Sequence, residues 1–412
     1  MNMLPARTAV WVFLAFAFSY FFSALLRAIT ATLSPTLTQE FSLQSRDLGL
    51  LAGGYFLGFA AMQLPLGTWL DRYGPKRVMV SFLGIAVLAC IAFSMATSFG
   101  ALLAARVLGG VGVSACLMAP LTGFRRWLEP GTQLRANSWM LMTGSFGMLA
   151  STLPVQWLVP VLGWRPLVWG LAAMIALSMV VIAVLVPAWH HGPTEVNDRE
   201  TSYAQVWRNP YFRRMTPLGF FSYGGMIAIQ TLWAGPWLVR VTGYPPLAAA
   251  GGLFLINSCM LVAFLSWGAL NPRLARSGLT TDRLIAFGMP LNLLVLAAII
   301  VAGPLAGAWS WALFCVSCTF VSLAQPAVAM AFGPELAGRA LSGYNLVIFS
   351  GVFIVQWGIG LLIDAFAALG LDTISSFRGA LLVFLACSAA SYGYFMLASR
   401  DKDNLGTATE SP

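Results

Sequence analysis

The sequence predicts an all-α membrane protein in which twelve transmembrane helices form two pseudo-symmetric six-helix bundles. Three observations carry that prediction. Of 412 residues, 59% are hydrophobic and only 9% charged, against about 25% charged in a soluble domain. Twelve apolar runs can each supply the roughly 20 residues that cross a hydrocarbon core. The two halves of the chain repeat one another. Charge this scarce cannot coat a water-facing surface, which excludes an ordinary soluble enzyme, a disordered chain and a nucleic-acid binder.

The elements follow in order. Span 1 covers 9–34. Its apolar run is much longer than the roughly 7–15 residues of a signal-peptide core, so it reads as an uncleaved first span. Spans 2 to 6 cover 47–70, 78–98, 100–124, 136–158 and 164–187. The polar stretch 188–212, with His190, His191, Glu195, Asp198, Arg199 and Glu200, reads as a cytoplasmic linker. Its adjacent histidines have no third ligand at helical spacing and fit a solvated loop better than a metal site. Spans 7 to 12 cover 214–239, 247–271, 283–303, 307–332, 341–366 and 377–398. The N-terminal bundle is therefore 1–187, the C-terminal bundle 213–398, and 399–412 a cytoplasmic tail.

The net charge of +9 is explained by topology. Arg72, Lys76, Arg77, Arg125, Arg126, Arg135, Arg213, Arg214, Arg273, Arg276, Arg283 and Arg339 cluster in the even-to-odd loops and at span ends facing them. Arg46, Arg165, Arg240 and Arg378 fall on the other face. The positive-inside rule then sets both termini in the cytoplasm. Six scattered cysteines are no disulfide framework, and Cys315 and Cys318, though spaced C-x-x-C, sit in an apolar span as small core residues.

The repeat runs at a nearly constant offset. Phe18-Ser19-Tyr20 recurs as Phe221-Ser222-Tyr223, 203 positions on. Gly67 and Arg72 recur as Gly268 and Arg273, and Pro120 as Pro326. Arg135-Ala136 and Gly147 recur as Arg339-Ala340 and Gly351, 204 on. Two bundles related by an axis along the membrane normal place a binding site at the midplane between them.

After span 2 the chain reads Gly67-Thr68-Trp69-Leu70-Asp71-Arg72-Tyr73-Gly74-Pro75-Lys76-Arg77. This resembles the signature loop of the major facilitator superfamily of secondary transporters. Pro75 stands at one of its basic positions. Arg106, with Gly110 and Gly112, weakly resembles a further span-4 motif. The resemblance implies alternating access, with Gly67, Asp71, Arg72, Gly74, Lys76, Arg77 and Arg273 forming a cytoplasmic gate. It also implies a cavity lined by spans 1, 4, 7 and 10. The Gly-Pro-rich motif of the family's antiporters is not matched at Gly144 to Pro154 in span 5, which weighs against drug efflux. On physical grounds alone, Gly67 allows close helix approach and Asp71 can accept from a helix N-terminus or pair with a basic partner.

Two arginines remain inside spans, Arg27 and Arg106. Arg27 lies about 18 residues into span 1, about 27 Å along the helix and past the midplane. Intramembrane charges usually mark a function. No acidic residue lies mid-span; the nearest, Asp47 and Asp364, are at outer ends and are the candidates for coupling. A buried guanidinium without an acid suits a carboxylate or other oxyanion, which it can bind bidentately. The bland alternative is an arginine bonded to helix carbonyls or reaching the outer face. The repeat maps Arg27 onto Gln230 and Tyr20 onto Tyr223, and these four are the leading substrate-binding residues. Arg106, Trp233, Tyr55, Asn257 and Gln325 are further candidates, with Gln63, Thr319, Tyr344 and Asn345 behind them. Each alone is as able to bond a neighbouring helix as a substrate.

The functional expectation is a secondary transporter moving a small organic anion or carboxylate-bearing, amino-acid-like solute by rocker-switch alternating access. The alternative is a drug or metabolite efflux antiporter of the same superfamily. No nucleophile elbow, metal cluster or intramembrane acid pair suggests an enzyme, and no cofactor or metal is expected. The short tail offers no output domain for a receptor. The expected partners are a small anionic solute, the lipid bilayer and, in one mode of coupling, protons, with no nucleic acid. Uniport, exchange and proton coupling stay open. The chain is expected to be monomeric. With no glycosylation sequon, it fits a bacterial inner membrane.

Overall fold

The computed structural model describes residues 3–188, 203–276 and 279–407. His190, His191 and most of the 188–212 stretch lie outside the described residues, and the side chain of Arg273 lies outside those described. Among the described residues, nine helices are long and apolar enough to cross a membrane, and a bent pair makes a tenth. The remaining two spans fall short of that test only because their helices are broken.

Span 2 is one of these. It begins as Ser45–Ala61, steps at Met62, and continues into Gln63–Met95, which also contains span 3. The signature loop is thus not a loop. The helix carries on through Asp71 and Arg72 and turns only at Gly74, whose φ of 77° suits a residue with no Cβ. Pro75 follows and restarts the next helix, where a missing N–H costs nothing.

Span 7 is the other. Between Pro210–Pro217 and Ala234–Arg240 it contains two wide π-helical turns, Leu218–Tyr223 and Ile229–Trp233. Such turns interrupt the regular ladder and are frequent at functional sites. Spans 4 and 10 break at matching places. Phe99–Val113 gives way to Ala115–Trp127 with Pro120 inside, and Ala308–Ser322 to Ala324–Met330 with Pro326 inside. Span 5 bends by 42° between Gly131–Ala150 and Leu153–Leu162, where Pro154 cannot donate to the ladder.

Other ends differ modestly from the hydropathy reading. Span 1 extends over Ala6–Phe41, and span 12 over Thr373–Thr407, past the expected end at 398. The interval read as a linker contains a short helix, Tyr203–Arg208, whose Tyr203 hydroxyl donates to the Leu64 carbonyl of span 2 at 3.4 Å.

The spans pack through glycine. A Cβ at Gly147 of span 5 would come 2.2 Å from the Phe21 carbonyl oxygen of span 1, and one at Gly351 of span 11 would come 2.2 Å from that of Phe220 in span 7. The repeated glycines therefore make equivalent helix crossings in the two bundles. In a bilayer, where packing rather than water expulsion joins helices, such close approach is the main glue.

Between the bundles, spans 2 and 11 meet tightly on the face away from the basic clusters, here termed the far face. A Cβ on Gly49 would sit 2.4 Å from the Gln356 carbonyl oxygen, and one on Gly360 2.4 Å from that of Ser45. Span 1 meets the far half of span 7, with the Ala31 carbonyl oxygen 3.1 Å from a Cβ built on Gly235.

Candidate substrate site

Arg27 stands where the two bundles face one another. Its guanidinium carbon lies 5.5 Å from the ring centre of Phe59 on span 2 and 6.0 Å from that of Phe349 on span 11. The two rings touch each other edgewise at 4.5 Å. The phenols of Tyr55, Tyr20 and Tyr223 are its electrostatic neighbours, the last from the C-terminal bundle. Arg27 keeps partial exposure, while its Nε is buried with no hydrogen-bond partner. The pseudo-symmetric tyrosines are thus brought to the same charge. Tyr20 fits because span 5 has glycine opposite it: a Cβ on Gly144 would lie 2.5 Å from its ring.

Gln230, the repeat counterpart of Arg27, is only 8% exposed and turns into its own bundle. It lies on the second π turn and its amide donates to the Asn257 Oδ1 at 2.9 Å, while Asn257 donates to the Leu253 carbonyl. Trp233, on the same turn, donates its indole N–H to the Gln356 carbonyl at 3.0 Å. Gln356 in turn donates to the Thr231 hydroxyl at 2.9 Å, and its own Oε1 is buried without a donor. Gln325 donates to Asn345 at 2.5 Å. These amides are thus bonded within the C-terminal bundle, and the C-terminal residues beside Arg27 are Phe349 and Tyr223.

Arg106 occupies a different place. It is 6% exposed, its Nη1 donates to the Leu26 carbonyl at 3.0 Å, its Nε and Nη2 are buried without a partner, and its guanidinium lies 5.1 Å from the Tyr55 ring centre. It sits behind Tyr55, within the N-terminal bundle. Tyr55 donates to the Ser23 carbonyl at 3.3 Å. Arg106 thus braces the two elements that flank Arg27.

At the basic face, Asp71 and Arg72 remain exposed. Partial desolvation pushes the Asp71 carboxyl above the usual carboxylate range, against the pull of the nearby Arg125 and Arg339 charges. Gly67 has open space where a Cβ would be, so close helix contact is not what it serves in this conformation. Lys76 and Arg77 begin the span 3 segment just beyond the Gly74 turn. At the far face, Asp47 caps its own helix, accepting from the Gln44 N–H at 3.0 Å, with Arg46 3.8 Å away. Asp364 of span 11 accepts from the backbone N–H groups of Ser45 and Arg46.

Sequence reading did not find Phe59, Phe349, Thr231 or Gln356. The phenylalanines carry no polar signal, and their importance lies in which charge they enclose. Gln356 was findable as a polar residue in an apolar span. Among the described residues no group of three or more His, Cys, Asp or Glu could hold a metal ion.

The Major Facilitator Superfamily pattern matches residues 16–356. The chain is 27% identical over 246 residues to a probable sulfoacetate transporter of Cupriavidus necator, covering 55% of this chain and 56% of that protein. It is likewise 27% identical over 187 residues to the multidrug resistance protein MdtL of Escherichia coli, covering 43% and 46% respectively. The matches span about half the length of these curated relatives. A bacterial homologue of the human lysosomal transporter Spinster, solved in an inward-facing, unoccupied conformation, superposes with a TM-score of 0.77 at 16% identity, over 96% of this chain and 98% of that one. The fold, the pattern match and the membrane spans agree, and the chain belongs to the Major Facilitator Superfamily of membrane transporters.

Proposed function

We propose that this transporter moves a small organic anion, carboxylate- or sulfonate-bearing, by rocker-switch alternating access, with Arg27 as the counter-charge. The observation that carries the reading is the Arg27 guanidinium held between bundles among aromatic rings, its Nε without a partner. Arg27 is partly exposed and its Nε has no partner, and an oxyanion can bind a guanidinium bidentately. Tyr20 and Tyr223 supply hydroxyls from opposite bundles. The amides of Gln230 and Asn257, with Trp233, shape the opposing wall. Tyr55 and Arg106 brace the arginine, and Gln325 lies nearer the basic face.

In this reading the halves 1–187 and 213–398 move as bodies, both termini are cytoplasmic, and the protein resides in a bacterial inner membrane as a monomer. The segment around Asp71, Arg72, Lys76 and Arg77 gates the cytoplasmic face. Asp47 and Asp364 act at the outer face. The likeness to a probable sulfoacetate transporter supports an anionic solute. The likeness to a multidrug resistance protein favours a second reading, efflux of an aromatic drug or metabolite into the same ring-lined space.

The test is uptake into proteoliposomes of radiolabelled benzoate, 4-hydroxybenzoate, sulfoacetate and a neutral control, benzamide, by wild type and Arg27→Gln. Uptake of an anion that Arg27→Gln loses supports the proposal. Uptake of the neutral amide alone, unchanged in the variant, favours the second reading.

A further inference from the structure

Spans 8, 9 and 10 leave a groove of about 590 Å3 between them. Val262 of span 8, Leu291 of span 9 and Leu313 of span 10 line it and are themselves exposed, so it opens sideways toward the bilayer. It exists because span 8 presents small side chains there, Ser258, Ala263 and Ser266 among them. The Trp267 ring also lines it, set edgewise 5.0 Å from that of Phe320. Phe320 fits because span 9 has glycine opposite it: a Cβ on Gly288 would lie 2.2 Å from its ring.

The N–H and O–H donors of this wall are already used. Ser258 and Ser266 donate to the Phe254 and Val262 carbonyls of their own helix, each at 2.8 Å. Trp267 donates its indole N–H to the Thr319 hydroxyl at 2.8 Å, Thr319 donates to the Val316 carbonyl, and Ser317 donates to that of Phe314. A wall whose donors are all satisfied from within the protein asks nothing polar of its occupant and suits hydrocarbon.

Length and charge say which hydrocarbon. From Ser258 to Leu270 the groove follows span 8 for about 18 Å, close to the roughly 15 Å depth of one leaflet. Span 8 covers Pro246–Arg276 and runs toward the basic face, so the groove lies mostly in the leaflet of that face. Span 9 starts there as Thr281–Ala302, and its Arg283 is exposed, about 12 Å along the helix from Leu291. Among the described residues Arg283 has no acidic partner. The adjacent Asp282 is taken by Arg214 at 2.6 Å and by the Tyr211 hydroxyl at 2.9 Å. The mouth of the groove therefore carries a cation, with its neighbouring acid already engaged and none left to meet a choline or ethanolamine group.

The geometry points to a binding site for an anionic phospholipid, with one acyl chain in the groove and the phosphate on Arg283. A guanidinium matches two phosphate oxygens, and basic residues at the ends of spans hold anionic headgroups at this level. The site lies within one bundle and does not depend on which solute is carried.

Native mass spectrometry of the detergent-purified chain tests it, with equimolar dioleoyl phosphatidylglycerol and dioleoyl phosphatidylcholine added. Wild type should retain the phosphatidylglycerol in preference. Arg283→Gln should lower that preference about fivefold, the worth of one basic residue at the membrane surface. Arg7→Gln removes the same charge from the start of span 1 and should leave the preference as in wild type. Ser266→Trp, which fills the groove from an exposed position, should retain less of both lipids. Equal retention of the two lipids by wild type, an unchanged preference in Arg283→Gln, an equal loss in Arg7→Gln, or undiminished retention in Ser266→Trp each overturns the inference. So does inorganic phosphate retained as firmly as the lipid, or a protein dimer in place of the lipid adduct. Should Ser266→Trp not fold, the two arginine variants still decide.

Discussion

The carboxylate of Asp364, near the end of span 11, accepts hydrogen bonds from the backbone N–H groups of Ser45 at 3.1 Å and Arg46 at 2.8 Å, at the start of span 2. The two elements belong to opposite bundles and lie 318 and 319 residues apart in sequence. An acid from one bundle thus caps a helix of the other, where the orphan amides and the positive end of the helix dipole favour a negative charge. Arg240 of span 7 adds to the cluster through a 3.5 Å contact with the Ser45 hydroxyl. The far face is held by one carboxylate acting on a helix terminus, with glycines alongside.

Removing that carboxylate should weaken the closed far face without unfolding either bundle. Hydrogen bonds to a charged acceptor are worth about 1.5–3 kcal/mol. Asp364→Ala should therefore shift the balance toward far-face opening by roughly tenfold or more, while Asp364→Asn, which keeps one acceptor oxygen, should shift it less. Energy transfer between fluorophores attached at Val161 and Leu305, both exposed at the far ends of spans 5 and 9, reads the change. Equal distances in wild type and Asp364→Ala would show that the glycine contacts suffice.

Glycine substitutions should separate contacts between bundles from contacts within them. Alanine at Gly49 or Gly360 places a Cβ 2.4 Å from a carbonyl oxygen of the opposite bundle, which can yield by moving away. These variants should open the far face and leave thermal stability nearly unchanged. Alanine at Gly110 places a Cβ 1.8 Å from the Tyr55 carbonyl oxygen inside one bundle. Overpacking there costs about 1–3 kcal/mol or more, so Gly110→Ala should lower the melting temperature.

Most spans were legible because hydropathy over about 20 residues is a local property. The repeat was legible too, and its two tyrosines, Tyr20 and Tyr223, both lie among the electrostatic neighbours of Arg27. Three features were not. The π turns of span 7 leave no mark in the apolar pattern. Gly74 reads as part of a loop, although only one residue departs from helical geometry. Asp364 reads as a charge at a span end, since nothing local to it reveals that its partner is the start of span 2. Gln230 shows the limit of the repeat: equivalence placed it across from Arg27, but Asn257, one span on, takes its amide.

Asp71 should matter for movement more than for folding. It is exposed, and its carboxyl is raised above the usual range by partial desolvation, with Arg125 and Arg339 pulling the other way. Asp71→Asn removes the charge that the neighbouring arginines meet. Transport should slow while the protein remains folded and monodisperse. Wild-type rates in Asp71→Asn would remove this segment from the gate.

Glu40 gives a stability prediction with a defined sign. Desolvation works against its charge, but hydrogen bonds from Trp164 and Arg165, together with the Arg165 charge, outweigh it and hold the carboxyl below its ordinary value. A carboxylate depressed in the folded state contributes stability above its unfolded pKa of about 4.3, and that contribution fades as pH falls through the folded value. The contacts tie the end of span 1 to the start of span 6, and a 3.1 Å bond from Arg165 to the Ala96 carbonyl adds span 3. The pair is partly exposed, so the effect is small. Melting temperature should fall slightly more in wild type than in Glu40→Gln between pH 5 and about pH 3. Parallel pH profiles would show that these contacts contribute nothing.

Arg106 should act through its contacts with span 1 and Tyr55. Its Nη1 bonds the Leu26 carbonyl, one residue before Arg27, and its guanidinium plane lies against Tyr55. Lysine can reach a carbonyl with one N–H but lacks the flat face that stacks on a ring. Arg106→Lys should lower thermal stability by a few degrees, since losing about 1 kcal/mol shifts the melting temperature by that order. Tyr55→Phe keeps the ring that faces Arg106 and loses only the 3.3 Å bond to the Ser23 carbonyl, so it should lower stability less than Arg106→Lys. If Arg106 acts only as a brace, an anion taken up by wild type should bind Arg106→Lys with affinity reduced far less than in Arg27→Lys, as read by equilibrium binding in detergent. Equal losses in the two lysine variants would instead place Arg106 in direct contact with the anion.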